Sequence, residues 1–370
     1  MTSSFTPLTF DIADLPDVFA DMKPVPQADG PTAVCRIDYP PRFVQAYNYF
    51  RALLVVVDGP PPEYSLRALR LTELCLEQNA ANYTVWHYRR LCLYAQPEWK
   101  TSAATDLLTA DLELAARLGG ANPKNYQIWY HRRAILQEYH SSTTRQPAAT
   151  AATQDATDVF LSLATKELNY VATVLQADGK NYHAWTHRQW LLTTVKDDDA
   201  TWKRELTYTA ELIEQDLRNN SAWNQRWFVT HRGVSGTRTT STSSSIIPWD
   251  ESTAEMQFAL EKATRDTFNE SPLNYFIAWA KELRQTYPEQ FQTELLPALV
   301  EQLQALDTND DETASPNVLA TRVELSSWQG DMDTARAVLH RLAESVDPIR
   351  RKYWNLRQEQ LDEVQATAAS

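Results

Sequence analysis

One short phrase recurs four times and constrains this chain more than any other feature. It reads Asn82-Tyr83-Thr84-Val85-Trp86-His87-Tyr88-Arg89-Arg90, then Asn125-Tyr126-Gln127-Ile128-Trp129-Tyr130-His131-Arg132-Arg133. It returns as Asn181-Tyr182-His183-Ala184-Trp185-Thr186-His187-Arg188-Gln189 and as Asn219-Asn220-Ser221-Ala222-Trp223-Asn224-Gln225-Arg226. The shared core is Asn-x-x-x-Trp-x-x-Arg. Recurrence in fixed register marks a repeat architecture.

Each phrase predicts the start of a helix. Asn is a good N-cap, because its side-chain oxygen accepts an orphan N–H of the first turn. Tyr and Trp three apart share a face, as do Trp and Arg, so the stripe Tyr83, Trp86, Arg90 is a packing face with a charged end. An amphipathic helix precedes each phrase. Leu107, Leu114 and Leu118 lead to Gly119-Gly120-Ala121-Asn122-Pro123, where the glycines suit a helix C-cap and Pro123 stops continuation. Phe160, Leu163, Leu168, Val171 and Leu175 lead to Asp178-Gly179, and Leu206, Ala210, Ile213 and Leu217 keep the same period.

Paired helices in series predict an all-α fold of stacked helical hairpins. At 370 residues the chain exceeds one compact core, and an array that grows along one axis accommodates it. The expected organisation is a mobile Pro-rich leader over 1–40, a single helical-repeat domain over 41–360, and a tail over 361–370. The Trp spacings are 129 − 86 = 43, 185 − 129 = 56 and 223 − 185 = 38. A Ser/Thr/Ala segment over 141–157 explains the long one as a loop insertion, and a second insertion spans about 233–248. A fifth unit is degenerate, with Leu273 at the Trp position and Phe276 at the Arg position.

Net charge is −13, which argues against a nucleic-acid partner, whose phosphates need a basic face. The longest strongly apolar stretch, Leu53 to Val57, is too short to span a bilayer, and no signal peptide is visible. Cys35, Cys75 and Cys92 are odd in number and lack metal-like spacing, which fits a reducing, intracellular compartment, and the expected location is cytoplasmic. Three scattered Cys and seven His, mostly inside the phrases, give no zinc ligand set.

The phrase resembles the protein prenyltransferase α-subunit repeat. The forms Pro123-Lys124-Asn125-Tyr126-Gln127, Lys180-Asn181-Tyr182-His183-Ala184-Trp185 and Asn219 to Arg226 are similar to the α subunits shared by protein farnesyltransferase and type I geranylgeranyltransferase. So are Ala80 to Trp86 and Arg350-Arg351-Lys352-Tyr353-Trp354, and the resemblance covers roughly 45–357. It implies a right-handed α–α superhelix of hairpins around a separate β subunit, a heterodimer. The implied reaction moves farnesyl or geranylgeranyl from its diphosphate to a Cys near the end of a protein with a Cys-aliphatic-aliphatic-x terminus (CaaX). Zinc, and magnesium with the diphosphate, are implied through the β subunit, with no cofactor in this chain.

Lys124 is the first candidate for a catalytic role. It precedes a predicted helix N-terminus, where amides and an ammonium together favour an anion. Prenyl transfer expels a diphosphate, and a cation there favours the transition state over the ground state. The family's catalytic lysine falls on this position; the plain alternative is a solvated surface lysine. The resemblance further implies substrate-binding roles for Tyr126 and Tyr182 by the diphosphate, His183 near the isoprenoid diphosphate, Gln127 at the peptide carboxylate and Tyr83 at the peptide's last residue. Tyr83 and Tyr126 also read as repeat packing, and Lys180 as structural or weakly electrostatic. His87, His131 and His187 read as structural, and Arg89, Arg132, Arg188 and Arg226 as partners of acids in a neighbouring hairpin. Two other readings stay open: a non-catalytic helical-repeat scaffold, and the α subunit of the enzyme that prenylates Rab proteins. A zinc-binding barrel partner would exclude the scaffold.

Overall fold

The computed structural model describes residues 7–28, 30–32, 34–35, 37–54, 62–100, 104–144, 151–195, 198–231, 248–308 and 310–369. Every regular element among them is helical. The chain divides into two compact units, Met1–Leu191 and Leu192–Ser370. The first holds α1 (Leu15–Val18), α2 (Pro41–Leu54), α3 (Leu66–Gln78), α4 (Tyr83–Ala95), α5 (Ala104–Gly119), α6 (Tyr126–Thr144), α7 (Ala151–Ala177) and most of α8 (Tyr182–Thr194). The second holds α9 (Asp199–Gln215), α10 (Asn220–Thr230), α11 (Trp249–Arg265), α12 (Glu270–Thr286), α13 (Pro288–Gln290), α14 (Leu296–Leu306), α15 (Pro316–Gln329), α16 (Met332–Arg341) and α17 (Arg351–Ala369).

The predicted caps are in place. Asn82 Oδ1 accepts from the N–H groups of Thr84 and Val85, Asn125 from Gln127, Asn181 from Ala184, Asn219 from Ser221 and Asn269 from Ser271. Each Trp is buried and its indole N–H donates to the carbonyl six residues upstream, in the turn before its own helix: Trp86 to Ala80, Trp129 to Pro123, Trp185 to Gly179 and Trp223 to Leu217. The next capping Asn then donates its amide to the same carbonyl. Asn125 reaches Ala80, Asn181 reaches Pro123, and in the second unit Asn269 reaches Leu217. One carbonyl thus ties the cap of one hairpin to the Trp of the preceding one.

Buried acids form a second joint. In the first unit Asp111 on α5 faces Arg89 of α4, with Nε at 2.6 Å, and His131 of α6, with Nε2 at 2.6 Å. Glu167 on α7 receives Arg132 of α6 at 2.8 and 2.5 Å and His187 of α8 at 2.7 Å. In the second unit Glu255 on α11 receives Arg226 of α10 at 2.7 Å twice and the Tyr275 hydroxyl of α12 at 2.7 Å. Arg89, Arg132, Arg188 and Arg226 also donate to the carbonyls of Leu69, Leu112, Leu168 and Leu206. Removing a charge pair from water is costly, and it persists where the remaining donors and acceptors are satisfied. Burial pushes Asp111 and Glu167 up, and their Arg and His partners more than offset it, holding both carboxyls at about 2. The expected hairpin-to-hairpin pairing therefore holds for Arg89, Arg132 and Arg226. His131 and His187 are structural as read, whereas His87 lies exposed on α4 and is no core residue.

Several expected boundaries need correction. The leader is not mobile through residue 25. Ile12, Leu15 and Phe19 are buried, because apolar residues at helical spacing stand among the prolines. Arg67 pairs with Asp21 and donates to the Val18 carbonyl, Arg70 donates to Phe10 and Arg51 to Val25, which fastens the leader to α2 and α3. The segment 141–157 is largely helical: α6 runs to Thr144 and α7 begins at Ala151, while 145–150 lie outside the described residues. The second insertion falls almost wholly on 232–247, also outside them. The supposed tail belongs to α17, which Arg336 holds through Asp362 at 2.8 Å. Gly119 and Gly120 do not adopt a left-handed cap. A Cβ at Gly119 would stand 3.4 Å from Ile128, where α5 packs on α6.

Candidate functional site

The second helices α4, α6 and α8 each begin one residue after a capping Asn, so equivalent side chains project at equivalent places. The first helical residue is Tyr83, Tyr126 and Tyr182 in turn, about 70% exposed each time (70%, 68% and 72%). Exposed tyrosines in one register are unusual for a residue that elsewhere in this chain fills the core, as Tyr47 and Tyr88 do.

The next position is Thr84, Gln127 and His183. His183 is half-buried, and its ring meets Tyr126 edge-on with centroids 4.1 Å apart. The Tyr182 ring also meets the His183 ring edge-on, at 5.7 Å. Burial lowers the His183 pKa, so the imidazole is neutral near pH 7. A neutral imidazole in contact with two phenol rings offers one donor and one acceptor.

Lys124 closes the turn before α6. Its N–H donates to Asn122 Oδ1 at 3.2 Å, and its ammonium, on a side chain 70% exposed, stands 3.5 Å from Asp178 Oδ2. Asp178 opens the turn before α8. The neighbouring hairpin thus supplies the counter-charge.

Tyr126, Tyr182 and His183 come together by direct ring contact, and Lys124 joins the same two turns through Asp178. Gln127 is half-buried beside Tyr126 in α6. Tyr83 begins the second helix of the preceding hairpin, and among the described residues no ring contact joins it to Tyr126. Asp178 was missed by sequence reasoning, as were the acids Asp111, Glu167, Glu205 and Glu255. A signal for these four exists: each lies 20 residues before the residue it binds, His131, His187, Gln225 or Tyr275. Among the described residues no group of three or more His, Cys, Asp or Glu is placed to hold a metal, and no helix is long and apolar enough to cross a membrane.

Four segments, 65–96, 108–139, 164–195 and 202–232, match the model described as protein prenyltransferase alpha subunit repeat. These segments, about a third of the chain, are similar to that repeat. Each matched segment is one of the hairpins above, ending in the phrase with its Asn, Trp and Arg. The chain is 36% identical over 118 residues to a Schizosaccharomyces pombe protein farnesyltransferase/geranylgeranyltransferase type-1 subunit alpha, a match that spans about a third of each chain (32% and 36%). It is 27% identical over 347 residues to the Candida albicans protein of the same name, covering 94% of this chain and 98% of that one. A solved structure titled Candida albicans protein geranylgeranyltransferase-I complexed with GGPP shares the fold, with a TM-score of 0.68 and 24% identity over 93% of this chain and 98% of that chain.

Proposed function

We propose that this chain is the α subunit of a heterodimeric protein prenyltransferase acting on CaaX proteins. The observation that carries it is the Tyr126–His183–Tyr182 cluster beside Lys124, on the repeats of a family whose named relatives are such subunits. A scaffold has no need of an exposed lysine and a neutral histidine brought together from two hairpins.

In the reaction the bond between the isoprenoid C1 and its bridging oxygen breaks, and its electron pair leaves with the diphosphate. The cysteine sulfur bonds to C1 and its thiol proton passes to solvent. Negative charge grows on the departing oxygen, and the Lys124 ammonium stabilises it there. Neutral His183 and the hydroxyls of Tyr126 and Tyr182 donate hydrogen bonds to the diphosphate without adding a net charge that would hold the product. Gln127 takes the peptide's terminal carboxylate through its amide, and Tyr83 lines the place of its last residue.

Among the described residues no group of His, Cys, Asp or Glu is placed to hold a metal; zinc, and magnesium with the diphosphate, would come with the β subunit, and no step here runs through them. That partner also selects farnesyl or geranylgeranyl. The heterodimer works in the cytoplasm. Co-expression with a zinc-binding β subunit tests the reading. It predicts a stable complex that prenylates a CaaX peptide; a complex that forms but transfers neither isoprenoid to any such peptide would leave the scaffold.

A further inference from the structure

Asp178 uses its two carboxylate oxygens in different ways. Oδ1 accepts the N–H of Lys180 at 3.2 Å, which closes its own turn, and Oδ2 stands 3.5 Å from the Lys124 ammonium of the neighbouring hairpin. Its backbone is fixed as well: its N–H donates to Val174 O at 3.0 Å, and its carbonyl accepts from Asn181 at 3.1 Å. The carboxylate is thus aimed by its own turn.

The second unit repeats this register with a different outcome. Arg218 also precedes a capping Asn, and Asp266 also stands three residues before the next one. Their pair is closed, with Nε to Oδ2 at 2.7 Å and Nη2 to Oδ1 at 3.1 Å, so both oxygens face the cation. Lys124 and Asp178 are left half-open. At 3.5 Å the ammonium is attracted without a short hydrogen bond, and its donors stay available to another anion. A lysine is also a point charge on a flexible stem, so it can change partner where a bidentate Arg cannot.

We infer that Asp178 is a positioning residue for Lys124, a tether that limits its grip on the bound diphosphate and yields it as leaving-group charge grows. This rests on the prenyl-transfer reading above. The logic is differential binding: an interaction equally strong in ground and transition states does not speed the chemical step. With Asp178 competing, the ground-state diphosphate gains little from Lys124. As the C1–O bond breaks and its electron pair moves onto the diphosphate, the added charge outbids the carboxylate. An exposed pair adds little to stability, so a purely structural role predicts a near-silent variant.

The test uses the assembled heterodimer with a type I β subunit. Asp178→Asn keeps an oxygen for the Lys180 N–H and removes the charge. Titration with geranylgeranyl diphosphate gives Kd, and single-turnover transfer to a Cys-aliphatic-aliphatic-Leu peptide gives the chemical rate. Asp178→Asn is expected to tighten Kd and slow the rate, each by about fivefold, the scale of one exposed ion pair. Both changes should vanish on a Lys124→Ala background, since the effect travels through that ammonium. Wild-type values for both quantities, or equal changes in the Lys124→Ala background, would overturn the inference while the function stands. A wild-type heterodimer without transfer would remove the function and this inference together.

Discussion

The ring of Tyr126 meets that of His183 edge-on at 4.1 Å, although they lie at the starts of the second helices of two different hairpins. Burial lowers the His183 pKa, and the Tyr126 ring is one of the groups packed against it. Tyr126→Phe keeps the ring contact and Tyr126→Ala removes it. We predict that the His183 pKa, followed through its C2 proton by NMR, stays below 6.5 in the Phe variant and rises toward about 6.5 in the Ala variant. Equal pKa values in both variants would show that Tyr126 does not shield the ring.

The Arg132–Glu167 joint predicts an asymmetric response to mutation. Arg132→Met leaves a buried carboxylate with only His187, and we expect a loss of roughly 3–5 kcal/mol in chemical denaturation. Adding Glu167→Leu to it should recover much of that loss, because the stranded charge is gone. A single variant as stable as wild type would mean that the pair does not join the hairpins.

Acid should weaken the same joints. Asp111 and Glu167 have folded pKa values of about 2, below their unfolded values, so their contribution is complete above the unfolded pKa and is lost as pH falls. Thermal unfolding should show stability dropping between about pH 5 and pH 2, roughly 2 kcal/mol per group, and Asp111→Asn should flatten the profile. A profile unchanged by that substitution would place the acid sensitivity elsewhere.

The leader gives a simpler prediction. Phe19 is fully buried, packs on Tyr49 with centroids 5.7 Å apart and lies under the Arg67 guanidinium at 4.7 Å. Phe19→Ala should cost about 3–5 kcal/mol of unfolding free energy, as large-to-small core changes do. A change within error would return the leader to the status of a loose arm.

These cases show what local spacing reveals and what it does not. Caps and buried Trp follow from positions a few residues apart, which is the scale on which a helix is read. Asp111 and Glu167 escaped notice because each acts on a helix 20 residues away. The leader's order is hidden among its prolines, because Ile12, Leu15 and Phe19 are buried through contacts with distant helices, as Phe19 is with Tyr49 of α2 and Arg67 of α3. The helical ends at Ser141–Thr144 and from Ala151 are not legible in composition, because weak helix formers still extend α6 and α7 when tertiary packing holds the rest of the helix. Lys124 and His183 were legible as candidates, whereas the Asp178 tether depends on two turns meeting in space.

The most direct measurement of the central claim is single-turnover prenyl transfer by the assembled heterodimer, wild type against Lys124→Ala. The account predicts that the variant still assembles and still binds peptide and isoprenoid diphosphate, while its chemical rate falls by roughly 100–1000-fold, the scale of one lost charge-stabilising group. A variant that transfers at the wild-type rate, or loses only substrate affinity, would contradict a leaving-group role for Lys124.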